Sequence, residues 1–204
     1  MNRRVELSRL RCTRAGLLRA TLGGGAVVAG GAATASWTGG WAPAAAPSKS
    51  TDVKVLNLFL LLEQVQESLY REALQEGRLE GGLEEFARTV GDQERKHVAL
   101  LTKRLGGDAR ERPQSNFGDA VTDPKRFQDV AIKLEEATIA AFISQGANLT
   151  RDAVAAVVPL VSVEARQVAW VRDLAGMSPA PRAADPPRDA DQILDELRKE
   201  GFIQ

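Results

Sequence analysis

The sequence predicts an all-α protein: a four-helix bundle with one long crossover between helices 2 and 3, plus a short C-terminal helix. Three observations carry that expectation. Beyond residue 51, apolar residues recur at helical spacing in four successive segments. The joins between those segments run short, long, short. Each hairpin so formed sets two acidic residues level with each other on its inward stripe. No segment shows strand alternation.

Taken in order, residues 1–35 read as an export signal. They hold six Arg and a single acid, Glu6, and then turn apolar, small and Gly-rich over 20–35. That stretch is too short and too rich in Gly for a good membrane span. Ala33-Thr34-Ala35 marks cleavage before Ser36, and Ala44-Ala45-Ala46 offers a second site. The weak apolar region and the many arginines resemble a twin-arginine signal, for which Arg3-Arg4 is a true pair set far from the apolar region. The stretch from Thr13 to Arg19 has the surrounding pattern, with Ala15 where a second Arg belongs, so the route stays open. Cys12, the lone cysteine, falls inside this segment, which leaves the exported chain without disulfides or thiolate ligands. The whole chain balances 27 basic against 27 acidic residues. Without residues 1–35 it carries 21 against 26, so a basic patch for nucleic acid is not indicated. Residues 36–50, with Trp37 and Trp41 among Gly, Pro, Ala and Ser, read as a flexible linker.

The bundle is expected over 51–176. Its first helix, roughly 52–75, has Val55, Leu58, Phe59, Leu62, Leu69 and Ala73 as its inner stripe, and ends at Gly77 and Gly81-Gly82. The second, roughly 83–105, is built on Leu83, Phe86, Ala87, Val90, Val98 and Leu101, and stops at Gly106-Gly107. Residues 108–122 are polar, contain Pro113 and are long enough to run the length of a bundle. Asp123-Pro124 opens the third helix, whose stripe is Phe127, Val130, Ala131, Leu134, Thr138 and Phe142. Thr150 caps the fourth, which carries Val154, Val157, Val161, Val168 and Val171, with Pro159 expected to kink it. Helices of 22–25 residues span roughly 33–38 Å, enough to enclose one core. In the remainder, 177–204, a Pro-rich linker precedes a short amphipathic helix with Ile193, Leu194, Leu197 and Phe202, expected to pack on the bundle.

The inward stripes are interrupted by charge. Glu94 and His97 lie one turn apart on the core side of the second helix, the spacing with which a bundle helix offers a carboxylate and an imidazole to a metal. The halves also repeat. Glu63, Tyr70, Glu94 and His97 in the first are answered by Glu135, Phe142, Glu164 and Gln167 in the second. The midpoint of Glu63 and Glu94 falls in the first turn, and that of Glu135 and Glu164 at the edge of the last. Four level carboxylates around one axis repel unless a cation or shared protons offset them. Glu67, Glu72, Glu84, Glu85 and Glu136 read instead as solvated faces or surface ion pairs, and Trp170 as core or rim.

At these residues the chain resembles the ferritin-like superfamily, and within it exported ferritin-like domain proteins that include desiccation-related members. The resemblance covers about 52–204. It rests on Glu63 with Tyr70, Glu94 with His97, the LEEATIAAF and VEARQVAW segments, and the C-terminal tail. It implies a ferritin-like bundle with Glu63 and Glu135 as terminal metal ligands and Glu94 and Glu164 as bridges. The imidazoles would come from two Glu-x-x-His motifs, but here the second ends in Gln167, a far weaker ligand. The expected site is therefore Glu63, Glu94, His97, Glu135, Glu164 and Gln167 around iron or manganese, a di-metal centre with a weakened second position. Three functions follow: redox or oxidative-stress chemistry on oxygen or peroxide outside the cytoplasm; protection or binding of the desiccation-related type with at most one weakly held cation; or pure scaffold. Metal ions are the expected partners. The membrane is met only during export, and a homodimer is compatible with the sequence.

N-terminal sequencing of the protein at native expression is expected to find a first residue between 36 and 48, in a fraction outside the cytoplasm. Intact Met1 or Asn2 on cytoplasmic protein would contradict this.

Overall fold

Five α-helices and no strand make up the architecture of residues 47–204, the part of the chain that the computed structural model describes. The expected export signal over 1–35, Cys12, Trp37, Trp41 and nearly all of the linker lie outside the described residues. Helices α1 (Lys49–Glu76), α2 (Gly81–Leu105), α3 (Pro124–Gln145) and α4 (Arg151–Leu174) form the bundle, and α5 (Ala190–Lys199) follows. Their starts obey local chemistry. Ser48 Oγ accepts the amide of Thr51, and the Asp123 carboxylate accepts those of Lys125 and Arg126 with Pro124 directly behind it. Thr150 Oγ1 accepts the amide of Ala153. At the other end of α1, Gly77 takes the left-handed conformation that closes a helix, φ 63°. α4 continues through Pro159 as one helix.

Contacts between distant residues establish the topology. Phe59 stacks on Phe142 with ring centroids 4.1 Å apart, Thr138 Oγ1 donates to Gln66 Oε1 at 2.8 Å, and the Tyr70 hydroxyl donates to Glu135. As numbering rises along α1 it falls along α3, so the two are antiparallel. α2 returns from α1 through a short turn, so α3 runs parallel to α2. The crossover between them climbs the outside of α1. Asn57 Nδ2 donates to the Asp108 carbonyl at 2.9 Å and its Oδ1 accepts the Arg110 amide at 2.8 Å. Farther along, Arg112 Nη1 donates to the Gln64 carbonyl at 2.9 Å and to Ser68 Oγ at 2.8 Å, and pairs with Glu67 at 2.5 Å. Asp52, in the first turn of α1, reaches the opposite hairpin: Thr150 donates its amide and hydroxyl to the two carboxylate oxygens at 2.8 and 2.6 Å.

One expectation needs correcting. A single inward stripe was expected on α1, yet every residue from 62 to 70 is buried. The crossover covers one outer face of α1, while α5 packs chiefly on α3, with Ile193, Leu197, Phe202 and Ile203 buried and Phe202 5.4 Å from Phe117 of the crossover. Glu67, read from sequence as a solvated or surface-paired acid, is accordingly buried and joins both Arg71 and Arg112.

α2 comes close to α1 beside Tyr70. A Cβ at Gly91 would stand 3.0 Å from Tyr70 Cβ, an atom fixed to its own backbone that cannot swing aside. Gly91→Ala should therefore push the two helices apart and destabilise the fold by roughly 1–3 kcal/mol, although Ala is the better helix former. Thermal or urea unfolding checks this, and a stabilised variant would refute the close contact.

Candidate metal centre

Every bundle helix contributes polar side chains to one layer at mid-height. α1 supplies Glu63 and Tyr70, α2 supplies Glu94 and His97, α3 supplies Glu135, and α4 supplies Glu164 and Gln167. The four carboxylates are wholly buried, and His97 is 8% exposed, so the imidazole is the centre's nearest point to solvent. Spacing explains the convergence: Glu94 and His97 sit one turn apart, as do Glu164 and Gln167, so both members of each pair face inward.

His97 Nδ1 is the focus of the layer. It lies 3.1 Å from Glu63 Oε2, 3.1 Å from Glu164 Oε1 and 3.4 Å from Glu94 Oε2. These four residues each offer one ligand atom, all within 4.8 Å of one another. One ring nitrogen has at most one proton to donate, so it cannot satisfy three carboxylates by hydrogen bonding. Two ligand atoms each about 2.1 Å from a cation and at right angles around it stand about 3.0 Å apart. The spacing around Nδ1 is close to that. Among the described residues, Glu63 Oε1, Glu94 Oε2, Glu135 Oε2, both oxygens of Glu164 and Gln167 Oε1 are buried without a hydrogen-bond partner. Orphaned acceptors at this density are costly unless positive charge meets them. The donor set, hard oxygens with one imidazole, fits iron or manganese.

The second half differs. Tyr70 donates its hydroxyl to Glu135 Oε1, with its ring set edge-on against Phe86 and Phe127, each 5.8 Å away. Gln167 Nε2 donates to Glu94 Oε1 at 2.6 Å and to Gln93 Oε1 at 3.0 Å. Glu63, Glu94, His97 and Glu164 thus come together as one cluster, while Glu135 and Gln167 stand beside it, tied to hydrogen-bond donors and acceptors. Gln93 went unnoticed in sequence reading. It lies next to Glu94 and off the inward stripe, and only the packing of α4 reveals its partner. Phe142, which stands where the first half has Tyr70, packs against Phe59 instead.

The acids resist ionisation. Burial, and then the charge of Glu94, pushes the Glu164 carboxyl up to about 7. Burial followed by Glu164 raises Glu63, burial followed by Glu63 raises Glu94 strongly, and burial followed by Glu164 and Glu94 does the same for Glu135. Burial opposes a charge on His97, but the carboxylates of Glu164, Glu63 and Glu94 gathered around its ring outweigh it and lift the imidazole to about 12. Without a cation the centre therefore retains protons.

Comparison with known families agrees with the architecture. Residues 51–177, more than half of the chain, match the profile described as the ferritin-like domain. No curated protein matches the chain.

The raised pKa values set the pH response of the cation-free protein. For Glu164 the folded value, about 7, lies above the ordinary 4.5, so its stabilising contribution is whole below pH 4.5 and is lost as pH rises through 7. The other three acids shift the same way, and His97, raised from 6.5 to about 12, also binds its proton more tightly when folded. Chelator-treated protein is thus expected to lose about 5–10 °C in Tm between pH 5 and pH 8. Added Mn(II) should raise Tm more at pH 8 than at pH 5, because protons compete for the same oxygens. A Tm that rises with pH in the chelated protein would contradict the buried-acid account.

Proposed function

The chain belongs to the ferritin-like domain family, and on that premise we propose that it is an exported protein whose buried centre holds iron or manganese for redox or oxidative-stress chemistry. The observation that carries this reading is the meeting of three buried carboxylates from three helices on His97 Nδ1, at 3.1–3.4 Å. Export is supported by the Arg-rich, then apolar, start of the sequence with its Ala-x-Ala site. Iron or manganese, when bound, would supply one-electron chemistry on oxygen or peroxide.

The chain's own residues supply the rest. Glu63, Glu94, Glu164 and His97 hold the first position, and burial keeps bulk water from their oxygens. Glu94 and Glu164 would also face a second position, which Glu135 and Gln167 would complete only in part. The Tyr70 hydroxyl donates to Glu135 Oε1, so that oxygen has a hydrogen-bond partner without a cation. His97, the residue of the layer nearest to solvent, marks the side from which an ion would enter.

A second reading has its own observation. The Gln167 amide donates to Glu94 where a second cation would need that oxygen, which favours a protective or binding protein of the desiccation-related type with at most one weakly held cation. Oxygen consumption on adding Fe(II) separates the two: turnover supports redox function, and binding without turnover supports the second reading.

Metal analysis of protein purified without chelators is expected to find iron or manganese. His97→Ala should weaken binding by at least about 100-fold, a loss larger than that usual for supporting residues around a metal. Equal metal content in parent and variant would show that the cluster is not a metal site.

A further inference from the structure

Gln93 is a polar residue of α2 that the ligand set does not use, and it makes one specific contact with the centre. Its Oε1 accepts from Gln167 Nε2 at 3.0 Å, while the same nitrogen donates to Glu94 Oε1 at 2.6 Å. Both N–H bonds of the Gln167 amide are thus committed to adjacent residues of α2. Gln167 Oε1, the only end of that amide able to ligate a cation, is left buried without a partner. Turning the amide over would set its oxygen against Glu94 Oε1 at 2.6 Å and also against Gln93 Oε1.

We propose that Gln93 is a positioning residue that holds the centre to a single divalent cation: by accepting from Gln167 it keeps that amide donating to the Glu94 oxygen a second cation would require. The inference rests on the reading of the cluster as a cation site and goes beyond it. A weak second position needs only the substitution of Gln for His. A position occupied by a donated hydrogen bond needs the Gln93 acceptor as well, and it can be opened from outside the ligand set.

The test is a titration of Mn(II) into chelator-treated full-length protein, with free ion followed by its paramagnetic resonance signal. The parent should take up one ion, with second-ion binding far weaker. Gln93→Met keeps length without the acceptor, and Gln93→Ala removes the side chain. Each should tighten second-ion binding by roughly fivefold to tenfold, the worth of one hydrogen bond, with the first ion still bound. Gln167→His should tighten the second ion too, and Gln93→Met added to it should have no further effect, because the amide it positioned is gone. Second-ion binding equal in the parent and both Gln93 variants overturns the proposal, as does additivity of Gln93→Met and Gln167→His. A parent that binds no Mn(II) fails differently: it removes the metal reading itself, and this inference with it.

Discussion

Four carboxylates with no exposed surface are gathered at one height of a helical bundle, and their mutual repulsion has to be relieved for the fold to exist. Two like charges 4 Å apart repel by about 4 kcal/mol at the effective dielectric of a protein, and a whole domain is stable by only about 5–15 kcal/mol. Four such groups cannot all stay ionised on their own. The fold relieves them in two unequal ways. Around His97 the oxygens face one nitrogen and one another, open to a cation. Around Glu135 and Gln167 they are met by a phenol and an amide that belong to the protein. The asymmetry of the centre is thus an asymmetry in who supplies the positive partner.

The surroundings hold that arrangement. Tyr70 meets Glu135 because its ring is held between Phe86 and Phe127, and because Gly91 lets α2 come close to it. Phe86 in turn packs edge-on to Trp170 at 5.3 Å, tying α2 to α4. Gln66 and Thr138 bond across α1 and α3 just beside the acids. Tyr70 is therefore walled by aromatic contacts that leave its hydroxyl little freedom to turn away from Glu135.

Much of this was legible in the sequence, because it depends on local periodicity. Helix stripes, the helix start at Asp123-Pro124, the cap at Thr150, and the repeat of Glu63 and Glu94 in Glu135 and Glu164 are properties of local sequence. So is the pairing of levels within each hairpin, since antiparallel helices count outward from their turn. What escaped was set by chain far away in number. Glu67 looks like a surface acid until Arg112, forty-five residues on, folds over it. Nothing local to Gln93 distinguishes it from other polar positions on an outer face. Its role exists only because Gln167 arrives from α4, and one sequence does not say which side chains of neighbouring helices meet.

The grip of Asp52 on Thr150 bears on alignment along the bundle axis. A helix advances about 1.5 Å per residue, whereas ligand atoms must be placed to within about 0.5 Å. Sliding one hairpin past the other by a single residue would therefore carry Glu164 out of reach of Glu63 and His97, even with every helix intact. Asp52 is eleven residues from Glu63, about 16 Å along α1, and Thr150 is fourteen from Glu164, about 21 Å along α4. The contact at the end of the bundle thus works as a datum from which two helices of fixed pitch measure the height of the acids, so that precision at the middle is inherited from a hydrogen-bonded pair at the edge.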